Sequence, residues 1–341
     1  MSIDTLLALA INRLSVLKSN EKMLLAEVVD TAEFYRSLDH RALGRVIGRP
    51  LREDLVLPED TLRAAEKDLL SCSQRNVAIV TFWDSPYPAA LREIFDPPFL
   101  LFVRGHLPDP ERPSIAVVGT REPTAAAVIA ARRLAEGIAM AGSAVVSGLA
   151  RGIDASAHRG ALRARTDSAG VVAPTGAVLG SGIDRIYPAS HRSLAAAILS
   201  AGGFLMSEYS PGIDPAKYHF PARNRIISGM SRGVVVVQAP AKSGALITAD
   251  YALDHGRDLF VHAAGLSGAV GAGTRDLADD GARIIDGPQG IFEEWGVPVP
   301  TGLATPVVRP AGADLTANGR DGGRHLADEL RRVLVLEQSD E

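Results

Sequence analysis

Cysteine, aromatic residues and net positive charge are all scarce in this sequence. A single cysteine, Cys72, excludes a disulfide framework and any cysteine-built metal cluster. Aromatics make up only 5% of the chain while glycine reaches 33 residues, which favours an α/β protein with tight turns over a β-sandwich. No apolar run reaches membrane-spanning length, and the N-terminus shows no charged region followed by an apolar core and a cleavage site. A cytoplasmic protein with no membrane partner is therefore expected. No carboxylate, histidine and cysteine cluster stands at ligand spacing, so neither a metal nor a redox cofactor is expected. The formal charge of −4 gives no bulk attraction for polyanions. Any polyanion site must come from a local concentration of cations.

What is present is a soluble globular composition, 46% hydrophobic and 22% charged over 341 residues, long enough for two or three domains. Residues 1 to about 75 alternate helical-looking stretches with short breaks, from "DTLLALAINRL", which Asp4 and Thr5 can cap, to "EDTLRAAEKDLLSCSQR". They predict a small all-helical N-terminal domain of SAM-like type. "VAIVTF" and "FLLFVRG" read as strands, joined by a proline-forced extended connection around one short helix.

From Ser114 the rhythm changes to strict alternation. The strands "IAVVG", "AVVSG", "GAVLG", "FLMSEY", "VVVV" and "DLFVH" are separated by amphipathic helices. Near-continuous apolar strands alternating with helices predict a mostly parallel sheet covered on both faces. The expected fold is α/β, an extended Rossmann-like doubly wound domain over 76–296 with its core at 114–295. Beyond it, residues 297–341 read as a Pro/Gly-rich linker and one amphipathic helix, too short for a winged helix.

In an open parallel sheet ligands bind beyond the carboxyl ends of the strands. Those ends carry Gly119, Thr120 and Arg121; then Ser147, Gly148, Arg151, Gly152 and Asp154; then Gly180, Ser181, Gly182, Asp184 and Arg185. The fourth carries Glu208, Lys217, His219, Phe220, Arg223, Asn224 and Arg225, and the fifth Lys242, Ser243, Gly244 and Thr248. Each loop pairs glycine with a hydroxyl or a cation, the means of bringing backbone N–H groups and a helix dipole close to an anion. Five such loops on one edge suit several phosphates in a row, a strand of nucleic acid as readily as a nucleotide. Single features also have plainer readings. Gly119 and Gly180 can simply end strands, and Asp154 and Asp184 can cap helices. Arg132 and Arg133 read as a solvated helix face, and His158 as packing or site alike. "GSGIDR" has only the first two glycines of a dinucleotide fingerprint.

The ordered strings "IAVVGTREPT", "VVSGLARGIDASAHRGAL", "GAVLGSGIDRIYP", "GGFLMSEYSPG" and "HFPARNRIISGMSRGVVVVQAPAKSGALITA" resemble the DNA-processing protein A family (DprA, also called Smf) over roughly 114–285. The resemblance implies an extended Rossmann fold that binds single-stranded DNA without strong sequence preference. It further implies loading of a RecA-type recombinase in natural transformation and recombination, a homodimer, and no catalytic activity. It places Arg121, Lys217, Phe220, Arg223, Lys242 and Ser243 at the DNA. The chain also departs from the family pattern. Pro174 stands where a lysine is usual before the third strand, with Arg163 or Arg165 as substitutes. "RARTDSAGVVA" reads as an insertion, and the N-terminal helices lack a glycine-bearing DNA-binding hairpin. Two other functions compete. One is a nucleotide-binding sensor. The other is a nucleoside monophosphate N-glycosidic hydrolase on a related fold, for which Glu208 could serve as base, but Tyr251 fills the slot of that group's glutamate.

Overall fold

The computed structural model describes residues 3–52, 58–164 and 174–297. The linker and helix expected beyond residue 297, together with Arg165 and most of the expected insertion, lie outside the described residues.

Five helices come first: α1 (Thr5–Asn12), α2 (Ser19–Val28), α3 (Ala32–Ser37), α4 (His40–Ile47) and α5 (Pro58–Gln74). Asp4 caps α1 by accepting from the Leu7 N–H at 3.1 Å. All five residues from Leu7 to Ile11 are buried, more than one amphipathic face, because α1 lies between α5 and the sheet. The strands and helices that follow are β1 (Ala78–Thr81), α6 (Ala89–Arg92), β2 (Leu100–Gly105), β3 (Ile115–Val118), α7 (Ala125–Met140), β4 (Val145–Ser147), α8 (Ile153–Ala161) and β5 (Thr175–Val178). After them come α9 (Arg192–Ser200), β6 (Phe204–Ser207), α10 (His219–Gly229), β7 (Gly233–Val236), α11 (Gly244–Asp254), β8 (Asp258–His262), α12 (Ala272–Asp279), β9 (Arg283–Ile285) and α13 (Gln289–Glu294).

The strands form one mixed sheet in the order β1-β2-β6-β5-β4-β3-β7-β8-β9. From β6 to β9 all neighbours are parallel, whereas β2 runs opposite to both β1 and β6. This is the expected Rossmann-like, mostly parallel architecture. The sequence reading missed β9, α12 and α13, which at three, eight and six residues are too short to show a period.

Strand alternation divides the core in two. Ala116, Val118, Val146, Val178, Phe204, Met206, Val234 and Val236 point to the face covered by α6, α10 and α11. Ile115, Val117, Val145 and Val235 point to the face covered by α7 and α8. On that second side Leu100, Phe102, Ala177 and Leu205 continue into the core of the N-terminal helices around Leu9, Ile11 and Leu14. The α7–α8 approach is close enough that a Cβ on Gly160 would overlap the backbone of Arg132. Arg132, expected on a solvated face, is accordingly buried.

A buried ion group ties α10 to the rest. Arg225, 7% exposed, donates from Nη1 and Nη2 to the Glu208 carboxylate at 3.0 and 2.7 Å and from Nε to Asp96 at 3.1 Å. Its partners differ in exposure, Glu208 being largely buried and Asp96 half-exposed. Glu208→Ala should therefore cost about 3–5 kcal/mol by leaving Arg225 underpaired in the interior. Asp96→Ala should cost about 0–1 kcal/mol. Denaturant midpoints measured at constant slope check this contrast; equal costs would contradict it.

Candidate nucleic-acid interface

The chain winds outward from β3 in both directions, through β4, β5 and β6 on one side and β7, β8 and β9 on the other. The connections after β3 and β7 therefore part to opposite faces and open a crevice at the carboxyl edge. Two adjoining clefts occupy it, of about 550 and 620 Å³, both lined by Arg121, Glu122, Ala150, Tyr187, Phe220 and Arg223. The first extends to Gly148 and Arg151, the second to Lys217, Asn224, Ser243, Gly244 and Thr248.

Arg223 forms the floor. It is 4% exposed, and its Nη1 donates to the Val178 carbonyl at the end of β5 at 2.7 Å, while its Nε has no partner in the protein. Space for the guanidinium exists because residue 148 is glycine: a Cβ there would overlap Nη1. Asp154 supplies the counter-charge. Burial pushes its carboxyl above the usual carboxylate range, opposed by Arg223 and by hydrogen bonds from the Gly148 and Ala150 N–H groups at 3.1 and 3.3 Å. Asp154 thus bonds back to the loop before α8 instead of capping the helix. Asp184 likewise accepts from the Gly212 N–H at 2.8 Å and caps no helix.

Above the floor lies a stack. The Arg121 guanidinium sits 5.7 Å from the Phe220 ring centroid, and the Tyr187 ring centroid lies 5.4 Å from that of Phe220, the two rings tilted by 41°. Gly180 allows this, since a Cβ would come within 2.9 Å of Phe220 Cδ1. Gly152, at φ +78°, lets the Thr120–Arg121 backbone pass where a side chain would clash, and the Ile153 N–H then donates to the Thr120 carbonyl at 3.2 Å. Arg121, Arg151 and Lys217 are exposed, and so is Glu122, the acid at the mouth. Ser243 caps α11, Asn224 Nδ2 donates to the Gly244 carbonyl at 3.1 Å, and Thr248 is buried beneath them.

Several predicted ligands do other work. The Ser147 hydroxyl is fully buried and donates to the Val117 carbonyl at 2.7 Å, because it points across the sheet into the neighbouring strand. Arg225 lies on the opposite face of α10 and belongs to the ion group with Glu208 and Asp96. His219 turns the same way and stacks on Tyr209 at 4.0 Å. Gly119 borders the second cleft, but its missing Cβ serves packing: one would sit 2.6 Å from Ile153 Cγ1. Gly182 is a loop joint, its N–H donating to the Ile213 carbonyl at 2.8 Å. Lys242 is exposed beside the second cleft without lining it.

Glycine-rich backbone cradles are not what the rim offers. The Thr120 N–H donates to the Gln238 carbonyl at 2.7 Å, and those of Gly148 and Ala150 are taken by Asp154. The positive groups that line the first cleft are instead the side chains of Arg121, Arg151 and Arg223. His158 is a packing residue: Nδ1 meets Thr175 Oγ1 at 2.7 Å, and burial pushes its pKa down to about 3.

The family model described as DNA recombination-mediator protein A matches residues 78–296. The chain belongs to that family. It is 42% identical over 250 residues to Protein Smf of Synechocystis, a match covering 72% of this chain and 61% of that relative, so the chain spans about three fifths of its length. The X-ray structure of DNA processing protein A from Streptococcus pneumoniae superposes with TM-score 0.68 at 30% identity, over 86% of this chain and 99% of that one. The Helicobacter pylori protein, solved for its single-stranded DNA binding mode, gives TM-score 0.55 at 27% identity, over 65% and 97% of the two chains.

Tyr187 and Glu122 are the charged or aromatic lining residues that sequence reasoning passed over. Tyr187 stood within the quoted "DRIYP", where an aromatic before proline in a strand-end loop was the available signal. Gly148→Ala should displace the Arg223 guanidinium and weaken oligonucleotide binding about tenfold or more, a loss of ~1.4 kcal/mol. Gly281→Ala, at a glycine that lines neither cleft, with nothing within 4 Å of an added Cβ but at φ +104°, controls for the strain of a loop glycine change. Equal binding by the two variants would remove Arg223 from the site.

Proposed function

We propose that this protein binds single-stranded DNA across the two clefts, protects it, and hands it to a RecA-type recombinase in transformation and recombination, acting as a homodimer and not as an enzyme. The observation that carries the reading is the stack of Arg121, Phe220 and Tyr187 above buried Arg223. It sets a base-stacking surface beside side-chain cations, the combination that single strands use. Membership in a recombination-mediator family and the single-stranded DNA binding mode described for the Helicobacter pylori neighbour support it.

The competing readings are less well served. A nucleotide sensor of the dinucleotide type needs free backbone N–H groups for its pyrophosphate, and those of Thr120, Gly148 and Ala150 are engaged. The base considered for a glycosidic hydrolase, Glu208, is held by both terminal nitrogens of Arg225. No helix among the described residues is long and apolar enough to cross a membrane.

The division of labour is measurable. A cation that neutralises a phosphate releases counterions, so Arg121→Ala and Lys217→Ala should each flatten the salt dependence of single-strand binding by about 0.7. Phe220→Ala should cost about 1–3 kcal/mol with an unchanged slope. Salt titrations of the three variants, with thermal melts to confirm folding, check this. Wild-type slope and affinity in all three folded variants would refute the reading.

A further inference from the structure

The segment that carries Lys217 and Phe220 is a wall with two sides. Lys217 and Phe220 face the clefts described above, while Tyr218 and His219 face a separate cleft of about 840 Å³. Its far side is built by the N-terminal helices, through Asn12, Lys18 and Lys22, and its near side by Glu208 and Tyr209 at the end of β6.

Three features of this cleft suit a ligand. The first is Lys22. Its ammonium donates to the Asn12 carbonyl at 2.9 Å and to Asn12 Oδ1 at 3.2 Å, and it makes no ion pair among the described residues. Burial pushes its pKa down to about 8 despite the attraction of Glu208, which is already bidentate with Arg225. A charge in this position lacks a close counter-ion. The second is an aromatic ladder: Tyr218 meets His219 edge-on at 4.5 Å, and His219 stacks on Tyr209 at 4.0 Å. Tyr218, at its outer rung, is 74% exposed. The third is the His219 ring, buried between Tyr209 and Tyr218.

An unpaired cation beside an exposed aromatic on a stacked ladder fits a phosphate-and-base unit. We propose that the single strand held at the rim continues over Tyr218 into this second cleft, where Lys22 meets a backbone phosphate and Tyr218 a base. The inference rests on the rim reading. A continuing strand fits better than a free nucleotide because Lys217 and Tyr218 are adjacent residues facing opposite clefts. A polyanion seated on the first is delivered to the second within one residue of wall. The N-terminal helices would then take part in binding through α2.

Oligothymidylates of increasing length, titrated by fluorescence anisotropy against wild type, Lys22→Met and Tyr218→Ala, test it. Methionine keeps the apolar stem of Lys22, and Tyr218 is exposed enough for its removal to leave the fold intact. The shortest oligonucleotides should bind all three alike. On long ones Lys22→Met should show a salt slope flatter by about 0.7, and Tyr218→Ala should lose about tenfold in affinity. Variants that match wild type at every length would overturn the proposal, as would losses equal at short and long lengths. Binding of thymidine monophosphate that Lys22→Met abolishes, with the length series unchanged, would also overturn it in favour of a free nucleotide. Arg121→Ala separates the two readings: failure of the rim shows at the shortest lengths, failure of the second cleft only at the longer ones.

Discussion

The interior charge of Arg223 is the constraint around which the carboxyl edge is arranged. A guanidinium stays charged wherever it is placed, so its burial requires a counter-charge and hydrogen-bond acceptors nearby. The Val178 carbonyl ends β5 against it, Asp154 supplies the opposite charge, and Gly148 leaves the room it fills. Asp154 in turn holds the Gly148–Ala150 turn through two N–H groups, and Gly152 fits that turn to the Thr120–Arg121 backbone. The exposed cations Arg121 and Arg151 are thereby positioned from below. Rim geometry is thus a consequence of compensating one buried charge.

Helix α10 distributes its side chains between two environments. Phe220, Arg223, Asn224 and Ile227 border the rim, at spacings of three, four and seven residues, the period of one helical face. Tyr218, Ala222 and Arg225 follow the same spacing toward the second cleft. Pro221 falls in the first turn, where its missing N–H costs no helical bond. A cluster that reads as one basic patch in sequence is therefore two faces. One face lines the crevice, and the other holds the ion group that secures the helix to Asp96 and Glu208.

The fate of the backbone amides shapes what the rim can bind. In dinucleotide folds, glycine turns leave N–H groups free for phosphate. Here the glycines serve close approach: Gly148 admits a guanidinium, Gly180 a ring and Gly152 a neighbouring strand-end loop. Much of the work then passes to long side chains and an aromatic stack. Such groups track a flexible polyanion more readily than they enclose a single pyrophosphate.

Much of this protein was determined by sequence alone. Apolar strands alternating with helices specified the parallel sheet, and the topology of such a sheet specified which edge carries the clefts. Arg121, Lys217, Phe220 and Arg223 were legible there because residues following strands in this fold converge. Tertiary structure decided which members of those loops face outward. Ser147 and Arg225 stand among cations and hydroxyls in sequence, yet one hydroxyl spans two strands and one guanidinium is consumed by two carboxylates. Tyr187 joined the stack and Lys22 faced the sheet only once distant segments met. Strand and helix periods are local properties, written in spacing along the chain. The partner of a charge and the direction of a ring are set by what packs against them, and that is known only when the chain has folded.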